Sequence, residues 1–323
     1  MKLKIKIPKR LLALTVCMAS CLFLLQTGLL AQDSTGKTEV KAKPVKVKPV
    51  KNTFQGIWII DNQTVMVPVK GTFEMDIQHR FGTVQKGYKD FWGLFAPSNI
   101  RLGFGYAPIN KLFLGIGITK DKMLWDGSAK YAIMQQTKGK FPLSITYYGN
   151  MAYESRKDAD GSLYKYSSQR LSFFNQLIIA RKITDKFSVQ IAPSVSHQNA
   201  VKGYYTKNDS TGQETFKEMK FDHFAIAFSG RYKLTNVLAF MVNYDQPITK
   251  HATKNPHPNF SFGLEVNTSN HSFQIFAGNY YSLNPQQNNL YNEYNPFGYT
   301  NNRTKVEGGQ FMIGFNITRL WNY

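Results

Sequence analysis

The sequence predicts an all-β chain: an antiparallel up-and-down transmembrane β-barrel of about twelve strands, with short periplasmic turns and long extracellular loops. Three observations predict it. Apolar and polar residues alternate from Thr72 onward, short and long connections alternate between the strands, and the last strand ends on aromatics. A period of two marks a strand with two unlike faces, and the helical period of 3.6 is never sustained.

The N-terminal segment comes first. A basic head (Lys2, Lys4, Lys6, Lys9, Arg10) precedes an apolar run from Leu11 to Leu25, and Ala31 stands before Gln32. This is the layout of a secretory signal peptide over 1–31, cleaved after about Ala31. A retained anchor is the rival reading, but the run is short and no basic stop-transfer cluster follows it. Met18-Ala19-Ser20-Cys21 loosely resembles a lipobox, yet Leu22-Phe23-Leu24-Leu25 is poor material for the start of a lipoprotein. Both cysteines, Cys17 and Cys21, lie here, so the mature chain offers no thiol for a disulfide, a zinc–thiolate site or a nucleophile.

Residues 32–52 read as a Lys/Pro/Val-rich disordered periplasmic tether, since proline disfavours regular pairing and like charges repel. The barrel then occupies 53–323, with 53–71 serving as a plug or an extra strand. The formal charge is +20. Setting aside five positive charges in the head and a net four in the tether leaves about +11 for residues 53–323. An exported chain meets little nucleic acid, so the expected counterparts are outer-membrane lipids, lipopolysaccharide or anionic permeants.

The strands follow in order. Phe73, Met75 and Ile77 alternate with Thr72, Glu74, Asp76 and Gln78; Ile100, Leu102, Phe104 and Tyr106 with Arg101, Gly103 and Gly105. Leu112 to Ile118 and Leu143 to Tyr153 repeat the pattern, then Phe187 to Ser196, Phe224 to Leu234, Leu238 to Tyr244 and Phe260 to Asn267. Less regular strands fit near 128–136, 170–182 and 272–282. Short turns are expected at 107–111, 137–140, 183–186, 235–236 and 269–271. Long loops are expected at 81–99, 120–127, 154–169, 199–221, 247–258 and 283–309. Outer-membrane barrels sort their connections this way, and soluble sandwiches have no reason to.

The closing strand carries Phe311, Ile313, Phe315 and Ile317 on one face and ends at Trp321-Asn322-Tyr323. Terminal aromatics of this kind resemble the C-terminal signal read by the barrel-assembly machinery, and would also sit in an interfacial girdle.

The segment from about Phe54 to Tyr153 resembles an uncharacterised family of outer-membrane β-barrel proteins of Gram-negative bacteria. The resemblance rests on Phe54-Gln55-Gly56, Asn62-Gln63-Thr64, His79-Arg80-Phe81-Gly82, Phe91-Trp92-Gly93-Leu94-Phe95 and Ile100-Arg101-Leu102-Gly103. Trp125-Asp126-Gly127, Lys130-Tyr131 and Phe141-Pro142-Leu143-Ser144 complete it. It implies the same fold and an outer-membrane location, and no activity.

No enzymatic constellation emerges. The six histidines show no paired metal spacing, and Asp158-Ala159-Asp160-Gly161 lacks the bidentate Glu of a calcium loop. Ser194, Ser196 and His197 stand together, but adjacent strand residues point to opposite faces, so a lipid hydrolase is a distant reading. No catalytic residue, metal or cofactor is expected. The expected lumen-facing ionisable groups are Glu74, Asp76, Arg101, Lys130, Arg170, Arg231, Asp245 and Glu265, with a basic excess favouring anions. His79, Arg80 and Phe81 either anchor the first long loop in the lumen or form a strand end. The expected function is a pore for small polar or anionic solutes; the alternative is a barrel that binds or assembles through its long loops.

Overall fold

The computed structural model describes residues 48–158, 164–207, 211–301, 304–306 and 308–322. The expected signal peptide, most of the tether and Tyr323 lie outside the described residues. In chain order, β1 (Trp58–Ile59) and β2 (Asn62–Gln63) form a minimal hairpin. Seven long strands follow: β3 (Thr72–Thr83), β4 (Asn99–Ile109), β5 (Leu112–Thr119), β6 (Leu124–Met134), β7 (Ser144–Glu154), β8 (Leu171–Lys182) and β9 (Phe187–Gln198). A loop hairpin, β10 (Gly203–Lys207) with β11 (Glu214–Glu218), precedes β12 (Asp222–Lys233), β13 (Leu238–Pro247), β14 (Asn259–Asn267) and β15 (His271–Gly278). The last long connection carries helix α1 (Pro285–Tyr291) and the short pair β16 (Tyr299–Asn301) and β17 (Thr304–Val306) before β18 (Met312–Asn322).

Twelve of these strands, β3 to β9, β12 to β15 and β18, close into one antiparallel barrel, with β18 paired to β3. Closure pairs every strand on both sides and removes the edges that an open sheet would expose. Side chains alternate as the sequence predicts. Glu74, Asp76, Gln78 and Arg80 of β3 are buried inside, and the outer wall carries Phe104, Leu114, Ile116, Trp125, Phe228 and Ile275. Ile116 and Ile275 are 65% and 60% exposed at mid-strand, which suits acyl chains and not water. On β18, Ile313, Phe315, Ile317 and Trp321 face outward, as expected, while Phe311 lies just before the strand and packs on Phe260 and Phe262.

The connections depart from the expectation in places. The loop expected at 120–127 is only 120–123, because β6 begins at Leu124 and runs straight through Trp125-Asp126-Gly127. Asp126 is not a turn residue; its carboxylate is held inside the barrel by Arg101, and this keeps the strand extended. The connection at 135–143 on the opposite end is longer, so short and long do not alternate without exception. β15 also stops at Gly278, short of 282.

Candidate functional site

The site is the lumen, and the chain's own N-terminal segment fills it. Residues 48–52 meet the short-turn end of the barrel, where Val50 N donates to Gln136 O (2.7 Å) and Pro49 bridges Thr137. The chain then climbs into the barrel, turns back at Ile60-Asp61, and leaves at the same end, where Gly71 N donates to Ala107 O (2.8 Å). Phe54 to Val65 thus lie inside the barrel as a plug. Its two-residue strands pair with each other and not with the wall.

Apolar packing holds this plug first. Phe54, Ile59, Ile60 and Val65 pack against inward-facing Tyr148, Phe174, Ile178, Met241 and Phe276 in one cluster, and Ile57 packs on Ala107 and Phe113 in another. The inner wall is therefore not uniformly polar, as a water-filled lumen would require, but carries an apolar band where the plug sits.

Wall side chains then satisfy the plug backbone. Gln274 accepts from Ile60 N (3.2 Å) and donates to Trp58 O (3.0 Å). Asn316 donates to Ile60 O, Gln190 to Gln63 O and Thr146 to Val65 O, at 2.6, 2.7 and 3.0 Å. A segment with so little secondary structure of its own needs such partners, because an unpaired buried peptide group costs about 1–3 kcal/mol. Side chains complete the attachment: Asn62 donates to Asp245 (2.8 Å), Lys130 to Gln63 Oε1 (3.1 Å), and Tyr280 to Asp61 (2.7 Å).

Above the plug, Arg101 bridges Asp76 and Asp126 at 2.9 and 2.8 Å, its guanidinium 5.7 Å from the Trp58 ring of the plug. Glycine is required beside it: a Cβ on Gly117 would collide with that guanidinium. Asn150 donates to Asp126 (3.1 Å) and accepts from Gln286 (2.9 Å) on α1. Helix α1 folds inward at this end, with Gln286, Gln287, Asn288, Asn289 and Leu290 all buried as a lid. Asn259 and Asn292 tie the lid to β14, Asn259 donating to Asn289 (3.1 Å) and Asn292 to Asn259 (2.9 Å).

Seven of the eight expected lumen residues face inward. Glu74, Asp76, Arg101, Lys130, Asp245 and Glu265 are buried, and Arg231 pairs with Glu265 at 2.6 Å. Arg170 does not: it lies in a 3-10 turn outside the strands, donating to the carbonyls of Glu154 and Arg156 at 3.0 and 2.7 Å. The expected basic excess is absent from the lumen too. Among the described residues, six carboxylates (Asp61, Glu74, Asp76, Asp126, Asp245, Glu265) meet four cations (Arg80, Arg101, Lys130, Arg231) along the lumen, and Glu154 is buried at its long-loop mouth. His79, Arg80 and Phe81 form a strand end. His79 stacks outward on Phe315, with ring centroids 4.9 Å apart, while Arg80 turns inward against Phe276 at 4.4 Å. The first loop stays outside, where Gly82 N donates to Gly93 O (3.0 Å) and Tyr88 and Phe95 are exposed.

Asp61 and Asp126 stand in the lumen beside the expected ionisable residues, and other inward residues without a place in that set are neutral. Asn150, Asn243, Gln274 and Asn316 occupy inward positions of the same alternation, and as amides they carry no charge that would mark them in the sequence. Among the described residues no group of three or more His, Cys, Asp or Glu could hold a metal ion, and no helix is long and apolar enough to cross a membrane.

A family model described as "Membrane bound beta barrel domain (DUF5777)" matches residues 54–321, a span that runs from the plug to the penultimate residue of β18. No curated protein matches. Among solved structures, the KdgM porin is 8% identical over 77% of this chain and 99% of its own, with a TM-score of 0.41. An outer membrane channel from Pseudomonas putida F1 is 10% identical over 79% and 97%, with a TM-score of 0.42. LpxR from Salmonella typhimurium is 8% identical over 77% and 100%, with a TM-score of 0.33. At these values the likeness carries nothing about function.

Proposed function

Since the chain belongs to the membrane bound beta barrel family, we propose that it is an outer-membrane channel for small polar solutes, shut at rest by its N-terminal plug. The observation that carries this reading is how the plug is attached. It enters and leaves by one mouth and makes no strand ladder with the wall, so its withdrawal breaks side-chain contacts and leaves the twelve-stranded ladder whole. The short-turn end faces the periplasm in such barrels, which supports an exit of the plug on that side. The acidic balance of the lumen weighs against anion preference along the path itself. The last strand is the segment that the assembly machinery would read.

Magnitudes decide against a freely open pore. Wetting Phe54, Ile57, Ile59, Ile60 and Val65 together costs on the order of 10 kcal/mol, so spontaneous opening is rare and work on the plug is needed. The same apolar burial favours a second reading, a permanently sealed barrel that acts through its outer surface.

Bilayer conductance separates the two. The chain starting at Gln32 should be silent, and the same chain lacking residues 53–67 should conduct while keeping the boiled-versus-unboiled gel shift of a folded barrel. A deletion variant that folds and stays silent, or that cannot fold, would establish the sealed barrel.

A further inference from the structure

We propose that the long-loop mouth of the barrel binds a small hydroxyl-rich anion, a sugar acid or sugar phosphate, between Lys122, Lys202 and the lid helix. A cavity of about 400 Å³ lies there, lined by Lys122, Lys202, Gln287, Asn288, Tyr291 and Tyr294, among others. That is the size range of small-molecule sites. It lies on the side of the lid away from the plug, so the proposal stands whether or not the plug moves.

Two ammonium groups converge on one ring. Lys122 Nζ lies 5.2 Å and Lys202 Nζ 5.0 Å from the Tyr291 centroid. Among the described residues neither is ion-paired, whereas nearby Arg156 is, to Glu154 at 2.8 Å. Glu154 and Asp121 offset part of the repulsion between these like charges, and an anion seated between the two ammonium groups removes more of it. Burial lowers the pKa of Lys122 against the opposing pull of Glu154 and Asp121, with Lys202 and Arg156 adding to the lowering.

The backbone is bent to make this arrangement. Lys122 and Met123 both hold positive φ, +57° and +48°, a left-handed conformation that residues other than glycine rarely adopt once and here adopt in succession. Strain of this kind persists where the surroundings impose it, and it collects at ligand sites. Its effect is to bring Lys122 onto the lid, where the ammonium donates to Gln287 Oε1. Buried Gln287 and Asn288 supply amide partners for hydroxyls, and the Tyr291 and Tyr294 rings supply flat faces for a sugar ring. Exposed Glu293 is the one carboxylate in the lining.

The test is calorimetric titration of the folded barrel in detergent with D-glucuronate, D-glucose 6-phosphate, D-glucose and inorganic phosphate. One of the charged sugars should bind at millimolar concentration or below, and which one does so tells carboxylate from phosphate. Lys122→Gln and Lys202→Gln should each weaken it about tenfold, Lys122→Arg should keep it, and Lys250→Gln on the exposed surface should change nothing. The gel shift checks folding, and Tyr291→Leu supplies a second loss variant should Lys122→Gln fail to fold. Glucose binding as well as the charged sugars would overturn the role of the lysines. Equal binding of inorganic phosphate would overturn recognition of the hydroxyls, and no heat from any of the four would overturn the site.

Discussion

Gln286 on the lid helix donates to Asn150 Oδ1 at 2.9 Å, and Asn150 in turn donates to Asp126 at 3.1 Å, so the lid is bonded to the charged network that lies over the plug. Both residues are buried. Gln286→Leu removes the donor and leaves Asn150 Oδ1 without its partner, a loss of about 1–3 kcal/mol confined to the lid. Hydrogen exchange should speed up at the amides of 285–291 and stay unchanged in the barrel strands. Equal acceleration in β7 would mean that the lid is part of one cooperative unit with the barrel.

Arg101 balances two buried carboxylates at once, Asp76 and Asp126. Arg101→Met strands both, and breaking a buried pair in this way costs about 3–5 kcal/mol. The urea midpoint of the heat-modifiable band should fall accordingly. Arg231→Met strands only Glu265 and does so nearer to water, so its fall should be smaller. Adding Asp76→Asn and Asp126→Asn to Arg101→Met should recover part of the loss, since the stranded charges are then gone.

The barrel was legible in the sequence because lipid outside and a filled interior demand two faces with a period of two, and β3, β4 and β18 carry that period with His79 and Arg319 as polar breaks on the outer face. The end of β6 was not, because Trp125-Asp126-Gly127 has the composition of a turn and only Arg101, distant in sequence, makes Asp126 an inward strand residue. Arg170 was misplaced for the converse reason: it adjoins a strand pattern, yet its guanidinium finds the carbonyls of a neighbouring loop. The plug was legible only as an alternative. Phe54 to Val65 holds too few alternating residues to declare itself, and its polar partners include the Thr146 hydroxyl on β7 and amides spread over β9, β13, β15 and β18.

The loop 248–258 is latched by His251, whose Nδ1 accepts from Lys220 N (3.0 Å) and whose Nε2 lies 2.9 Å from His223 Nδ1. A bond accepted at Nδ1 requires the neutral ring, with its proton on Nε2. Burial, with Lys220 beside it, holds the His251 pKa below the usual 6.5. Above pH 6.5 the docked and open loops bind the same number of protons, and the latch is at full strength. As pH falls through 6.5 towards the lowered value, the open loop takes up the proton first, so docking weakens with acid. Exchange at 219–224, corrected for the intrinsic pH effect, should be faster at pH 5 than at pH 8. His251→Gln should abolish the difference; its persistence would place the sensitive group elsewhere.

Ile60 sets backbone strain against packing at the tip of the plug. Its φ is +59°, unfavourable for a β-branched residue by roughly 1–2 kcal/mol, yet its side chain is wholly buried among Phe54, Ile59 and the inner wall. Ile60→Gly relieves the strain but forfeits a buried side chain, a loss of roughly 2–5 kcal/mol when a cavity is left. Packing wins, so the variant should hold its plug less firmly. Exchange at the amides of 57–65 should rise, and single-channel records should show brief openings that the unsubstituted chain lacks. Greater protection in the glycine variant would reverse the argument and make strain at Ile60 the feature that keeps the plug poised to leave.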